Sequence, residues 1–433
     1  MIMIPLEPEA VYVLRRLLEN GYEAYVVGGY VRDRWRGRPT NDIDIATSAL
    51  PEQTMALFER TVPTGLQHGT VMVLYNDKAY EVTTFRTESD YEQYRRPKEV
   101  AFVQKLEEDL KRRDFTINAM AMDVEGTLID PFGGWNDLEQ GIIRCVGQAR
   151  ERFSEDALRM VRCIRFAANF ASRIENSTWE ALLANKKLLK HIAMERIYAE
   201  WEKIMAGPDP YRGLVLLIKS GLLEHLKREL PWPLVHWRSE ADLPPELARI
   251  NSVEQANLRW TLLIRSMNLA SDTARQGMAQ LTFPRNKAEK LVKLMEMDKH
   301  LLSRLALENT DVPAELVWKE TVLRYGVEAA SGWLALAGVL SSASDGREEE
   351  DFPAVPWSAV RAEDGQRWLE EMPVKGLGEL AVSGSDLMEW MERSGGPWIS
   401  RLLERLLREA ALGECPNIKE ELLRRAQYYL ANE

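Results

Sequence analysis

The segment Val27 to Thr47 reads Val-Gly-Gly-Tyr-Val-Arg-Asp-Arg-Trp-Arg-Gly-Arg-Pro-Thr-Asn-Asp-Ile-Asp-Ile-Ala-Thr: a glycine pair and a basic stretch, then two carboxylates spaced i, i+2. Glycines let backbone N–H groups approach a phosphate closely, and the N-terminus of a following helix adds a favourable dipole. Arg32 sits one helical turn in and reaches the same anion, with Asp33 placed to orient it. On a strand, residues i and i+2 point to one face. Asp42 and Asp44 are therefore expected to converge while Ile43 and Ile45 turn the other way. Two carboxylates on one spot repel unless a cation lies between them, and hard oxygen ligands suit Mg²⁺. A phosphate cradle of Gly28, Gly29 and Arg32 beside a Mg²⁺ site on Asp42 and Asp44 is the equipment of phosphoryl or nucleotidyl transfer. A lone Gly-Gly or Asp-x-Asp would mean little; it is their order and spacing that carry the reading.

Three further groups extend that chemistry. Glu81, in Tyr-Glu-Val-Thr-Thr-Phe-Arg, lies on a later strand and is a candidate third carboxylate, the alternative being a solvated strand residue. Lys111-Arg112-Arg113 is flanked by acids and runs straight into an apolar segment, so Arg113 and Asn118 are candidates for gripping a nucleotide's sugar or phosphates. Asp156 and Arg159 are expected one turn apart on one helix face. Their plain reading is an i, i+3 ion pair with helix-dipole compensation. The sharper reading is a base-reading edge, because a carboxylate only accepts hydrogen bonds and a guanidinium only donates. Cytosine and adenine each present an exocyclic amine beside a ring-nitrogen acceptor, which such a pair fits. Uracil and guanine present a carbonyl and an N–H, which mismatch at both contacts. Arg162 and Arg165 continue the same basic face.

The elements that must position these groups follow from periodicity. Residues 8–20 have helical spacing, Tyr25 to Gly28 a short buried strand, and a helix runs from the glycine pair to about Arg36. Asp42 to Ala46 is expected as a second strand. Val71 to Asn76 and Ala79 to Phe85 form a strand pair around the Asn76-Asp77 turn, and Ala119 to Val124 with Leu128 to Ile129 form another. After Gly147 strand signals nearly vanish. Ser154 is expected to cap a helix in which Phe153, Ala157, Met160, Val161, Ile164 and Ala167 make the apolar stripe, opposite Arg152, Asp156, Arg159, Arg162 and Arg165. The fold class is α+β: an N-terminal head with a small, mostly antiparallel sheet, then all-α domains. Boundaries are expected near Gly147, at Gly207-Pro208-Asp209-Pro210 and at the acidic, Ser-rich stretch Ser341 to Pro356.

Whole-chain properties bound the function. A chain of 433 residues, 45% hydrophobic and 28% charged, has the composition of a globular protein with room for several domains. No apolar run approaches the ~18 residues needed to span a bilayer; the best stretch is Gly332 to Leu340. The N-terminus lacks the pattern of a signal peptide, and Cys145, Cys163 and Cys415 form no zinc pattern and suit reduced thiols, so a cytoplasmic protein without membrane contact is expected. A net charge of −11 argues against indiscriminate nucleic-acid binding but leaves room for local basic patches. Most of the 13 tryptophans are expected in core and groove packing.

The motifs Gly-Gly-Tyr-Val-Arg-Asp (28–33), Asp-Ile-Asp (42–44), Arg-Arg-Asp-Phe-Thr-Ile-Asn-Ala (112–119), Glu-Asp-Ala-Leu-Arg (155–159) and Ala-Met-Glu-Arg-Ile-Tyr-Ala-Glu-Trp (193–201) together resemble the bacterial class II CCA-adding tRNA nucleotidyltransferases of the DNA polymerase β superfamily. Val-Ser-Gly-Ser-Asp-Leu (382–387) and Gly-Pro-Trp (396–398) resemble the tail of the short bacterial members, whereas residues 210–370 carry little that is distinctive. The resemblance implies a seahorse-like architecture: catalytic head 1–146, base-reading neck 147–207, body 208–340 and tail 341–433, the last two binding tRNA. It implies metals on Asp42 and Asp44, base selection by Asp156 and Arg159, nucleotide contact by Arg113, and a further basic neck position at Arg162. The expected activity is stepwise addition of C, C and A to a tRNA 3′ end from CTP and ATP, Mg²⁺-dependent, with pyrophosphate leaving; tRNA is the partner, and DNA is not. The polar segment Arg86 to Val100 resembles the flexible loop of members that add the final A. The competing readings are an A-adding specialist, a poly(A) polymerase and, outside enzymes, a catalytically silent RNA-binding protein.

Overall fold

The computed structural model describes residues 5–38, 40, 42–92, 96–305, 312–341 and 360–431, with the backbone alone at 88–92 and 96–100. Helix α1 (Pro8–Leu18) has Pro8 in its first turn and buries Ala10, Val13, Leu14 and Leu17 at three- and four-residue steps. These pack with Val26, Ile43, Ile45 and Val82 into the core under one face of the head sheet. On the other face Val27, Ala46, Phe85, Leu110 and Ala119 form a second, smaller core. Strand β1 (Ala24–Val27) runs into α2 (Gly29–Trp35); β2 (Asp44–Thr47), α3 (Pro51–Leu57), β3 (Thr61–Gly65), β4 (Thr70–Tyr75) and β5 (Lys78–Thr84) follow. After these come β6 (Arg86–Glu92), β7 (Arg96–Phe102), α4 (Leu106–Lys111), β8 (Ala121–Met122), β9 (Leu128–Ile129), α5 (Gly134–Glu139) and β10 (Ile142–Ile143).

Seven strands form one sheet in the order β3-β4-β5-β2-β1-β8-β9. Only the β2–β5 pair is parallel. The expected β4–β5 turn is present, with Asn76 and Asp77 at φ 48° and 57° as a tight hairpin requires. The strand expected from Asp42 begins instead at Asp44. Its partner β1 pairs only from Ala24 opposite Thr47 to Val27 opposite Asp44, and the chain then turns at Gly28, so Asp42 has no ladder to join. The segment expected as a flexible loop is a separate antiparallel hairpin, from Arg86 opposite Phe102 to Glu92 opposite Arg96. Thr87, Tyr91, Val100 and Phe102 supply a β-propensity that the surrounding charges mask in the sequence. Residues 93–95 of that segment lie outside the described residues.

Helices dominate from Ala149 onward: α6 (Ala149–Glu155), α7 (Leu158–Asn169), α8 (Asn176–Asn185), α9 (Met194–Met205) and α10 (Pro210–Ser220). A two-residue strand β11 (Arg173–Ile174) pairs in parallel with β10. The helix expected to start at Ser154 is two helices broken at Asp156, which has extended backbone (φ −134°, ψ 104°) and accepts the Leu158 N–H at 3.0 Å. Ser154 lies inside α6, its hydroxyl donating to the Arg150 carbonyl at 2.9 Å. Aspartate wins the capping role because its carboxylate complements the dipole of α7 directly. The expected apolar stripe of Phe153, Ala157, Met160, Val161, Ile164 and Ala167 is buried throughout.

The chain divides into two compact units, one of residues 1–230 with 234–242, the other of 231–233 with 243–433. The second is helical: α11 (Ala256–Ser266), α12 (Ser271–Gln280), α13 (Arg285–Leu305), α14 (Ala314–Ser341, interrupted at Gly326), α15 (Ala362–Glu371), α16 (Gly384–Trp390), α17 (Pro397–Ala411) and α18 (Lys419–Ala431). Trp260, Trp318 and Trp333 are fully buried in it, as the packing role of tryptophan predicts. Of the acidic stretch Ser341 to Pro356, residues 342–356 lie outside the described residues. Among the described residues no helix is long and apolar enough to cross a membrane.

Candidate active site

The C-terminal end of β1 and the N-terminal end of β2 meet at a cleft of about 420 Å³ in the first unit. Val27, Gly28, Gly29, Arg32, Asp44, Glu81, Arg86, Arg112, Arg113 and Asn118 line one part of it, and Asp156, Arg159, Arg162, Phe166 and Arg196 another. Segments far apart in sequence are thus brought to one opening.

The acidic side is set by strand register. Asp44 pairs with Glu81 across the parallel β2–β5 ladder, so both side chains stand on one face. Glu81, expected as a third carboxylate or a solvated strand residue, stands beside Asp44 and is exposed. Asp44 is exposed at the cleft, with the strand residues behind it buried. Desolvation and the Glu81 charge push its carboxyl above the ordinary value, Arg113 pulls the other way, and Asp42 adds to the rise. Asp42 is exposed beside this group and does not line the cleft. An all-oxygen cluster of like charges fits a hard divalent cation. Among the described residues no three acidic, histidine or cysteine side chains close into a metal cage. A cation there would complete its shell with water and ligand oxygens, the habit of Mg²⁺.

The anion-binding side begins at Gly28, at φ 71°. A Cβ at this position would lie 2.8 Å from Arg113 Nη1 and 3.8 Å from Asp44 Oδ2, so only glycine lets the guanidinium and the carboxylate close on the same backbone. Arg32 is 8% exposed. Its Nε and Nη2 donate to both oxygens of Asp33 at 2.9 and 2.7 Å, which fixes the plane of the guanidinium as expected. Arg32 Nη1 donates to Asn118 Oδ1, and the guanidinium lies 4.8 Å from the ring centroid of Phe170. Asn118, whose amide also donates to Asp114 at 2.9 Å, is buried and holds Arg32 through its side chain.

The helical side differs from expectation in its pairing. Asp156 and Arg159 both line the cleft and are joined through the backbone, the Arg159 N–H donating to the Asp156 carbonyl at 3.0 Å, while their side chains take other partners. Asp156 accepts from Arg196 Nη2 at 2.9 Å, while Arg159 Nη1 donates to Glu155 at 2.6 Å and Nη2 to the Arg112 carbonyl at 2.9 Å. The helix break sets this pairing: Asp156 precedes α7 in extended backbone, so its side chain does not take the position that a continuous helix would give it beside Arg159. Arg162 pairs with Asp114 at 2.7 Å. Arg165 pairs with buried Glu200 at 2.5 Å and stacks on Phe166 at 4.0 Å, outside the cleft lining.

The acids that hold these arginines, Asp109, Asp114, Glu155 and Glu200, and Arg196 with them, lie in or beside the motifs read from the sequence but were given no role of their own there. Burial alone would raise the Asp114 carboxyl, but Arg162, Asn118 and Arg159 together hold it well below the usual carboxylate range. The legible signal was available: an acid inside an arginine-dense stretch such as 108–114 must pair if it is buried.

Comparison with known proteins identifies the family of the chain. The family model described as "Poly A polymerase head domain" matches residues 24–144, "Probable RNA and SrmB-binding site of polymerase A" matches 173–232, and a model of tRNA nucleotidyltransferase domain 2 matches 251–426. The CCA-adding enzyme of Geobacillus stearothermophilus is 39% identical over 97% of this chain and 96% of its own length. That of Bacillus velezensis is 36% identical over 96% of both. The crystal structure of the Bacillus stearothermophilus CCA-adding enzyme in complex with CTP superposes with a TM-score of 0.79, at 36% identity and 99% coverage of each chain. A Thermotoga maritima CCA-adding enzyme complexed with tRNA shares the fold, at a TM-score of 0.63 and 20% identity over 98% of this chain and 96% of that one. With a polymerase-type head, a cleft joining carboxylates to arginines, and full-length similarity to these enzymes, the chain belongs to the CCA-adding family of tRNA nucleotidyltransferases.

Proposed function

We propose that this enzyme adds C, C and A in turn to the 3′ end of tRNA, using CTP and ATP with Mg²⁺ in the cytoplasm. The observation that carries the reading is one cleft shared by the Asp44–Glu81 carboxylate face, the Gly28–Arg32–Arg113 cradle and the Asp156 and Arg159 side chains. In this reading residues 1–146 are the catalytic head, 147–207 the base-reading neck, and 208–340 and 341–433 the tRNA-holding body and tail.

The division of labour follows from the side chains. Gly28 and Gly29 admit the triphosphate to the backbone, and Arg32, clamped by Asp33 and Asn118, offers it a fixed guanidinium. Arg113 lies over Gly28 and meets the same phosphates. Asp42 and Asp44, with Glu81 beside them, hold Mg²⁺, which when bound acidifies the attacking ribose hydroxyl and neutralises charge at the α-phosphate. Asp156 keeps acceptor capacity beyond its bonds to Arg196 and Leu158, so it receives the exocyclic amine of cytosine or adenine, while Arg159 donates to the ring nitrogen. Arg162 and Arg165 sustain the positive potential along α7. The rate gain comes from positioning and charge stabilisation.

The test uses purified protein and a tRNA ending at its discriminator base, incubated with CTP, ATP or both, with Mg²⁺ or a chelator, and the products sequenced. CC from CTP alone and CCA from both are expected, with none under chelation. Addition of A only to a CC end, or long A tails, would replace this reading with an A-adding enzyme or a poly(A) polymerase. Deleting residues 88–97 is expected to impair A addition more than C addition.

A further inference from the structure

The acid on the last turn of α4 has no part in the mechanism above, yet it holds two of the arginines that line the cleft. Asp109 is 1% exposed. Its Oδ1 accepts from Arg112 Nε at 2.9 Å and Nη2 at 2.7 Å, and from the Arg86 N–H at 3.3 Å. Its Oδ2 accepts from Arg113 Nη2 at 3.3 Å. The other end of the Arg113 guanidinium makes only a 3.5 Å contact to the Asn118 carbonyl. That same end lies against Gly28, on the patch of backbone that Asp44 also approaches, yet no ion pair among the described residues joins Arg113 to Asp44. Arg113 is therefore suspended between one buried carboxylate that holds it and a cluster of carboxylates that attracts it.

We propose that Asp109 is a positioning residue: it holds Arg113 off Asp44 and so keeps the oxygens of Asp44 and Glu81 available to a divalent cation. Without that anchor the guanidinium swings onto Asp44, forms the missing ion pair and competes with the metal. The tie from Asp109 to the Arg86 N–H, the first residue of the β6–β7 hairpin, places the hairpin root on the same node. The inference rests on the reading of Asp42 and Asp44 as a metal-holding pair.

The test measures Mn²⁺ binding to the full-length protein by the loss of the free-ion EPR signal, without tRNA or nucleotide. Asp109→Asn preserves shape but removes the charge, and is expected to weaken Mn²⁺ binding roughly tenfold, the usual scale for a residue behind a metal ligand. Arg113→Gln is expected to bind Mn²⁺ more tightly than wild type, and Asp109→Asn/Arg113→Gln to match Arg113→Gln. In nucleotide addition, Asp109→Asn should raise the Mg²⁺ concentration for half-maximal rate while kcat at saturating Mg²⁺ is kept. A purely structural role would lower kcat at every Mg²⁺ level. Unchanged Mn²⁺ affinity in Asp109→Asn, or a double variant as weak as Asp109→Asn, overturns the proposal. Should Asp109→Asn fail to fold, Arg113→Gln decides alone: affinity no tighter than wild type refutes the competition. Absence of Mn²⁺ binding in the wild type would instead refute the metal reading of Asp42 and Asp44.

Discussion

The two sides of the cleft treat charge in opposite ways. Away from the sheet carboxylates the cleft arginines are paired with acids: Arg32 with Asp33, Arg112 and Arg113 with Asp109, Arg159 with Glu155, Arg162 with Asp114 and Arg196 with Asp156. On the sheet side Asp44 and Glu81 stand in register on adjacent strands, with Asp42 near, and no ion pair among the described residues neutralises any of them. Paired groups have their directions fixed, which is what recognition of a base edge or a phosphate needs. Unpaired carboxylates hold repulsion that only an arriving cation relieves, which is what catalysis by a loosely held metal needs. On the proposed reading, the contrast separates where the chemistry is done from where the substrate is chosen.

Substitutions on the two sides should therefore fail differently. The largest effect belongs to the sheet side: Asp42→Ala or Asp44→Ala is expected to lower nucleotide incorporation by at least ~10³-fold at any Mg²⁺ level, with tRNA binding in a filter assay nearly unchanged. Near-normal turnover of either variant would erase the proposed asymmetry. On the helical side, Asp156→Ala/Arg159→Ala should cost about 1–3 kcal/mol of discrimination against UTP and GTP, read as ratios of kcat/KM. Unchanged rejection of UTP would move base reading elsewhere. Arg196→Ala leaves Asp156 in place but frees its carboxylate to rotate, so a smaller loss, about 1 kcal/mol, is expected in the same ratios. A loss as large as that of the double variant would make Arg196 itself a contact to the base.

How much of this was legible follows the range of the interactions. Local pattern sufficed for α1, for the Asn76-Asp77 hairpin and for the apolar stripe of α7, because each depends on neighbours within a few residues. The Gly28–Arg32–Asp33 geometry was readable for the same reason. The start of β2 was not, since it is decided by where β1 runs out of partners. The hairpin of Arg86–Glu92 with Arg96–Phe102 was hidden by its charge, which suits an exposed ribbon as well as a loop. The pairing of Asp156 was misread because helical periodicity continues across residues 153–167 even though the backbone breaks. Arg196, 40 residues away, is then the closer partner, and no spacing rule reaches that far.

The smallest effect sought tests the paired side through pH. Asp114 joins Arg162, Asn118 and the Phe115 N–H, and its carboxyl is held below the ordinary range in the folded protein. The unfolded chain therefore binds a proton there more readily than the folded one. The contribution of Asp114 to stability is full above the ordinary carboxylate value of about 4 and fades as the pH falls from there toward the depressed folded value. Asp114→Asn removes the titration and leaves Arg162 with only the more distant Glu200, at 3.8 Å, and some solvent. A coupling of about 1 kcal/mol corresponds to a loss of about 2–4 °C in Tm at neutral pH. The gap between wild type and variant should narrow in scans at pH 5, 4 and 3. A gap of constant size across that series would mean that the loss comes from altered hydrogen bonding and not from the carboxylate charge, so that the ion pair with Arg162 adds nothing to the network.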